Sequence, residues 1–405
     1  MKRHLALLRL ASTSVRTAGF LLLMATVAVS SVAQTQLDIL PIDDQFTNEG
    51  DVLVVPITAQ DISASTFEGF VFDGLPSFAT AVDNGDGTAS ITMNPLAGHG
   101  GIYQIVVSAS DVELQQFDSE VFAVAVAFTG NVGLPVTLPV SLAFAPIPVT
   151  SQLFFRSSGA SAFQSTPLTQ IADTRFEGTI PDGPETLRGV EYYVQFFDRE
   201  VFTTLPTVEP TTRPARLRYR FNLLEEIALE PVTYRMISVP AILDNSDPIH
   251  SLADDLETPD PSSWRVLRWA PVDERYDEPP LLDAQFDPGV AFWIISATSA
   301  AISVGPGLST DVETAQELVL EAGWNQIGSP FAFPVAWSDI DPNRTVESPV
   351  AYNGVEYVYD QSVLFPWDGY FVYNPQSSTV LLPVPPLEAG ARAQKAARLP
   401  TALYG

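Results

Sequence analysis

General-base, nucleophilic and thiolate chemistry all need side chains that this sequence almost lacks. It contains no cysteine and three histidines. His4 falls in an N-terminal leader, His99 in the turn-like run Ala97-Gly98-His99-Gly100-Gly101, and His250 behind Asp247-Pro248 in a surface-like loop. Neither His99 nor His250 is accompanied by a Gly-x-Ser-x-Gly elbow, a P-loop, a His-Glu-x-x-His pair or a dinucleotide fingerprint. A triad needs a serine and an aspartate placed around its imidazole, and a zinc site needs about three histidine or carboxylate ligands. Both histidines therefore read as surface residues. Asp254-Asp255 and Asp273-Glu274 have the makings of a glycosidase acid and base. Among 48 Asp and Glu, however, such pairs arise by chance. The expectation is a chain without catalytic residues.

Aromatic side chains are the other candidates. All six tryptophans (264, 269, 293, 324, 337, 367) fall in one C-terminal stretch. Trp264, Trp269, Trp324 and Trp367 have the composition of a sugar-stacking platform. The competing reading is that they fill the core of a small β unit, each burying ~150–250 Å². Trp293 and Phe371 lie in apolar strand patterns, and the core reading is preferred for them and for the group.

These tryptophans are organised by a duplication. Gly323-Trp324-Asn325-Gln326-Ile327-Gly328-Ser329-Pro330-Phe331 has a weaker twin in Met236-Ile237-Ser238-Val239-Pro240, at an offset of 90 residues. Pro288-Gly289-Val290-Ala291-Phe292-Trp293-Ile294 matches Pro366-Trp367-Asp368-Gly369-Tyr370-Phe371-Val372 at an offset of 78. Two anchors that keep their order while the loop between them shortens predict two similar β halves. In that arrangement Ile237 is equivalent to Ile327 and Phe292 to Tyr370. Leu318–Leu320, Asn325–Ile327, Val355–Tyr359, Gly369–Tyr373 and Thr379–Leu382 read as strands, and Ile249–Leu256 as a helix.

Length and charge set the wider frame. A chain of 405 residues allows two to four domains of ~100–150 residues each. Residues 1–33 carry four bases and no acid, so removing them takes the net charge from −28 to −32. Such a chain repels nucleic acid and anionic membrane surfaces. Within that leader, Phe20–Val29 is an apolar run followed by small residues up to Ala33, the pattern of a cleavable signal peptide. No later apolar run is long enough for a transmembrane helix. The expectation is an exported protein, secreted or held at the cell surface, without disulfides.

Residues 36–129 alternate short β patterns with turns. In Asp51–Ala59, Leu53, Val55, Ile57 and Ala59 share one face. Asp83-Asn84-Gly85-Asp86-Gly87-Thr88 supplies the glycines of a hairpin turn between Thr80–Val82 and Ala89–Met93. Gly101–Asp111 and Val121–Phe128 close the set, which predicts a β-sandwich. The order Asn48-Glu49-Gly50-Asp51, Gly74-Leu75-Pro76-Ser77-Phe78-Ala79, Asp83–Ala89 and Ala109-Ser110-Asp111 resembles bacterial Ig-like domains of the cadherin-like, dystroglycan type. That resemblance implies an extracellular spacer or adhesion module, and Ca²⁺ at one pole with Glu49, Asp51 and Asp111 as its ligands.

Gly133–Pro148 reads as a linker passing into an edge strand, and residues 138–224 as a second sandwich. Its Arg188-Gly189-Val190-Glu191-Tyr192-Tyr193-Val194 resembles fibronectin type III-like modules of secreted bacterial proteins. Arg216, Arg218 and Arg220 alternate with apolar residues, which makes them a solvated strand face beside acidic neighbours. Residues 226–386 are the duplicated unit. Its Trp-Asn-x-Ile-Gly-x-Pro-Phe and Gly-Tyr-Phe-Val signatures resemble C-terminal repeats of secreted Gram-negative proteins. Residues 387–405 turn Ala/Arg-rich, as a disordered or truncated tail would. The whole reads as an all-β, non-enzymatic spacer or adhesion protein, with other surface proteins or a polysaccharide as partners. Its rivals are a carbohydrate-binding protein using the tryptophans, and the non-catalytic part of a truncated hydrolase.

Overall fold

The computed structural model describes residues 37–62, 66–112, 115–144, 150–181, 186–198, 201–223, 227–256 and 260–389. The expected signal peptide and nearly all of the expected tail lie outside them. The chain is all-β, with 52% of residues in strands and 5% in helices. Among the described residues, no helix is long and apolar enough to cross a membrane.

Three sheets stack in the N-terminal part. The first holds four strands in the order Asp38–Ile39, Leu53–Gln60, Thr88–Met93 and Ala79–Asp83. The last two form the hairpin expected around Gly85 and Gly87, both at positive φ as the turn requires. The second sheet has seven strands, with Gly101–Asp111 and Gln116–Ala127 at its centre. The third has eight strands, among them Thr150–Ser157, Val190–Asp198 and Ala215–Phe221.

Strand Gln116–Ala127 shows how the middle layer serves two cores. Phe122, Val124 and Val126 pack with Ile57 and Ile91 of the first sheet. Ala123 and Ala125, on the opposite face, pack with Leu153, Tyr192 and Tyr219 of the third. Side chains of a strand alternate between faces, so a strand buried on both must be apolar at every position.

The stretch read as a linker contains strand Val136–Ser141, and this is an interior strand rather than an edge. It pairs antiparallel with Arg175–Ile180 along its length, and in parallel with Gly101–Asp111 through Val140–Ile102 and Ser141–Tyr103. The parallel contact comes just past Pro139, which has no N–H to give. It also requires a glycine at Gly101 (φ 148°), where a Cβ would press on the Pro139 carbonyl oxygen. Asp44 adds a polar clamp. Its carboxylate, almost fully buried, accepts hydrogen bonds from the N–H groups of Ala123 (2.7 Å), Thr207 (2.7 Å) and Val208 (2.9 Å), and from the Thr207 hydroxyl.

The C-terminal part is built from two similar halves, each with its own core. Phe221, Ile237, Val266, Phe292 and Ile302 belong to one, and Leu318, Ile327, Phe331, Tyr370 and Leu382 to the other. In the first half, Arg235–Ser238 pairs antiparallel with Ala291–Ser296, and Ile237 lies opposite Phe292. In the second, Gly323–Gly328 pairs with Gly369–Asn374, and Ile327 lies opposite Tyr370. The registers match residue for residue at the two sequence offsets. Outer strands pair in the same order, in a register shifted from those offsets: Ile227–Leu229 pairs with Ala300–Ile302 as Gln316–Leu320 pairs with Val380–Val384. Pro248–Leu256 is helical, and a short helix at Trp337–Ile340 was not evident from sequence.

Candidate functional site

The two halves meet through reciprocal contacts. Ile237 bridges to Asp368, and Val290 to Ile327. The Ser238 N–H donates to the Trp367 carbonyl (3.0 Å), and the Gly328 N–H donates to the Gly289 carbonyl (3.0 Å). Each contact becomes the other when equivalent residues are exchanged, which is the signature of a two-fold relation. Gly289 and Trp367 are themselves equivalents, and both sit at positive φ (89° and 71°). A left-handed tryptophan is costly, and this one is held because its ring packs against the core of the other half.

On one side of this junction the strands present aromatic rings outward. Met236, Leu267, Ala291, Trp293, Val350 and Phe371 form a buried floor, flanked by Trp269 and Tyr352. Above it open two shallow clefts. The first, with a volume of about 230 Å³, is walled by Trp269, Trp324, Tyr357 and Phe371, with Tyr276, Val350 and Tyr359 completing it. The second, about 440 Å³, is walled by Tyr234, Trp293, Tyr352 and Tyr276, with Leu267, Val355, Glu356 and Tyr357 around them. Tyr276 and Tyr357 line both.

Hydrogen bonds fix the first cleft. The Trp269 indole N–H donates to the Trp324 carbonyl (2.8 Å), and the Trp269 backbone N–H donates to Gln326 Oε1 (2.9 Å). Gln326 is buried, and its Nε2 has no partner. Trp324 keeps 40% of its surface exposed, Tyr276 43% and Tyr357 45%. Burial pushes the Tyr276 and Tyr357 hydroxyls above their ordinary value, so both remain protonated and can donate as well as accept. No lysine or arginine lines either cleft, and Glu356 is the one carboxylate. Exposed rings with polar tips on a packed floor offer stacking surfaces and hydrogen bonds.

The four tryptophans singled out from sequence separate. Trp269 and Trp324 come together here. Trp264 is buried, 3% exposed, beneath the first half. Trp367 packs on that same core. Tyr234, Tyr276, Tyr352, Tyr357 and Phe371 were not singled out as site residues. The available signal was that Tyr234 and Trp324 occupy equivalent positions, and that Trp269 and Tyr276 flank the Asp273-Glu274 turn.

The three carboxylates implied as calcium ligands do not converge. Glu49 and Asp51 follow Asn48, which pairs with Ala127 near the Gly101 end of strand Gly101–Asp111. Asp111 is the other end of that strand, ten residues or roughly 30 Å away at ~3.3 Å per residue. Each is engaged locally. Glu49 Oε1 accepts from the Gly98 and Gly100 N–H groups (2.8 and 2.9 Å), and Asp51 from the Asn48 amide (2.8 Å). Asp111, 1% exposed, accepts from the Thr66 hydroxyl (2.8 Å). The residues do not fit a shared cation, and among the described residues no group of three possible ligands gathers anywhere.

Of the histidines and paired acids, His99, Asp255 and Asp273 make structural contacts. His99 Nδ1 accepts from the Leu96 N–H (3.0 Å) and its ring stacks on Phe78 at 4.7 Å. His250 lies exposed on the helix Pro248–Leu256. Asp255 accepts from the Ser303 N–H (2.6 Å), and Asp273 pairs with Arg275 (3.2 Å). The three arginines of strand Ala215–Phe221 meet acceptors nearby: Arg216 lies 3.9 Å from Glu191, Arg218 donates to the Ser309 carbonyl, and Arg220 pairs with Asp244.

No family model matches the chain, and no curated protein matches it. Solved structures similar in part include a chimeric titin Z1Z2 at 15% identity, over 46% of this chain and 97% of that one, with a TM-score of 0.18. The N-terminal Ig1-2 module of the Drosophila receptor protein tyrosine phosphatase DLAR matches at 10% identity, over 46% and 99%, with a TM-score of 0.19. An endo-fucoidan hydrolase of glycoside hydrolase family 107 matches at 10% identity, over 46% and 35%, also at 0.19. At these scores the fold rests on the sheets described above.

Proposed function

We propose that this chain is a non-enzymatic extracellular binding protein, in which the stacked β layers act as a spacer and the aromatic face of the duplicated unit adheres to a carbohydrate. The observation that carries this reading is the row of exposed rings, Trp324, Tyr276 and Tyr357, standing over a packed floor. Soluble domains rarely leave such rings clustered on one face unless something covers them. Sugar C–H faces stack on rings, while sugar hydroxyls need donors and acceptors at the ring edges, which tyrosines supply. The extracellular address rests on the composition of residues 1–33.

Affinity electrophoresis of the full chain tests it, in gels containing neutral or acidic polysaccharides. Retardation by at least one neutral polysaccharide, weakened in Trp269→Ala/Trp324→Ala and lost when Tyr234→Ala is added, is the expected result. Free migration in every gel would overturn the reading.

A further inference from the structure

The two clefts are one site written twice. Under the two-fold relation Trp269 exchanges with Tyr352 and Tyr276 with Tyr357. Both pairs are cross-strand partners in equivalent ladders, Trp269 opposite Tyr276 and Tyr352 opposite Tyr357. Their rings are 5.0 Å apart at 65° in one half and 5.3 Å at 57° in the other. Trp324 exchanges with Tyr234. Trp324 lies 6.2 Å from Phe371 at 83°, and Tyr234 lies 6.0 Å from Trp293 at 79°. Val350 exchanges with Leu267, since Val350 bridges Phe371 as Leu267 pairs with Trp293. Applied to the six shared wall positions of the first cleft, the exchange returns six walls of the second. Only Tyr359, Val355 and Glu356 have no counterpart.

We infer that the duplicated unit binds two segments of a neutral saccharide, one in each aromatic cleft, running in opposite directions and sharing Tyr276 and Tyr357 as the wall between them. This rests on the carbohydrate reading above and adds its stoichiometry, its polarity and its charge class. Charge argues for a neutral ligand: the clefts present no cation, the second presents Glu356, and the chain carries −28 overall. An acidic glycan would be repelled. Geometry argues for two segments. Each cleft takes walls from both halves, so neither half alone makes a site, and the relation between the clefts is a rotation rather than a translation. A chain with a direction that fits one cleft must be reversed to fit the other. One straight segment cannot satisfy both.

Calorimetry on the full chain with neutral trisaccharides (cellotriose, laminaritriose, xylotriose, mannotriose) tests the inference. Trigalacturonic acid, a polyproline peptide and tetramethylammonium serve as further probes, and melting curves check that each variant folds. The expected result is two bound trisaccharides per chain for at least one neutral probe. Trp324→Ala and Tyr234→Ala should each leave one, and Tyr357→Ala should weaken both by about tenfold or more. Trp324 and Tyr234 are exposed, so neither variant removes core. One bound trisaccharide, lost with Trp324→Ala and unaffected by Tyr234→Ala, would overturn the two-cleft inference and leave the carbohydrate reading standing. Binding of the acidic sugar, the peptide or the ammonium ion alone, or of nothing at ~10 mM, would overturn both.

Discussion

Ser238 and Gly328, equivalent residues ninety positions apart, meet face to face where the two halves join, and a Cβ on Gly328 would collide with that of Ser238. Only one of the two can carry a side chain. Gly328→Ala should therefore destabilise the C-terminal unit by about 1–3 kcal/mol through overpacking. Adding Ser238→Gly should recover most of that loss, because it empties the space the new methyl needs. Urea denaturation of the single and double variants reads both numbers. A double variant no more stable than Gly328→Ala would mean that the halves do not meet as described.

Asp44 should be among the most costly polar positions. Its carboxylate holds three backbone N–H groups and the Thr207 hydroxyl in a nearly dry site. Asp44→Ala leaves these donors without acceptors and is expected to lose about 2–5 kcal/mol in urea denaturation, with Asp44→Asn losing less. A loss below ~1 kcal/mol for Asp44→Ala would show that water replaces the clamp.

Alkaline stability should carry a mark from Tyr103. Burial, with a smaller effect of the Glu49 charge, pushes its hydroxyl from 10.0 up to about 12. Below pH 10 the residue is protonated in both folded and unfolded chains and contributes no slope. Between pH 10 and about 12 the unfolded chain gives up the proton first, so stability falls as pH rises. Tyr103→Phe removes the hydrogen bond to the His99 carbonyl, at about 1 kcal/mol near neutral pH. It should also make the decline between pH 10 and 12 shallower than in the parent. Parallel declines would remove Tyr103 from the alkaline transition.

Calcium should leave the melting temperature unchanged. Glu49 and Asp51 lie at the Gly101 end of strand Gly101–Asp111, and Asp111 at the other. A rise in melting temperature with ~10 mM CaCl₂, reversed by chelator and lost in Asp111→Ala, would contradict this placement.

Much of the strand content was legible because alternation and turn glycines are local signals. Asp83–Thr88 announced its hairpin, and the offsets of 90 and 78 fixed which strands of the C-terminal unit correspond. The stacking of sheets was not legible, because it depends on long-range pairing. Val121–Phe128 did carry a clue, since an uninterrupted apolar run belongs to a strand buried on both faces. Val136–Ser141 misled through Pro139, which suits an edge by local rule but is tolerated here beside a two-residue parallel contact. The expected convergence of Glu49, Asp51 and Asp111 failed for a related reason. Sequence order cannot say which end of an eleven-residue strand a carboxylate occupies relative to its neighbours. Sequence favoured the core for the tryptophans, whereas Trp269 and Trp324 line a cleft, and five of the thirteen cleft-lining residues are tyrosines whose partners only the ladder registers reveal.

The central claim is that ligand meets the aromatic face of the duplicated unit, and fluorine NMR of the 5-fluorotryptophan-labelled chain tests it most directly. Six resonances are available, assigned by single Trp→Phe substitutions. On titration with a neutral polysaccharide that retards the chain in gels, those of Trp269, Trp324 and Trp293 should shift. Those of Trp264, Trp337 and Trp367 should stay in place. Shifts confined to Trp337 or Trp367, or binding that moves none of the six, would contradict the account.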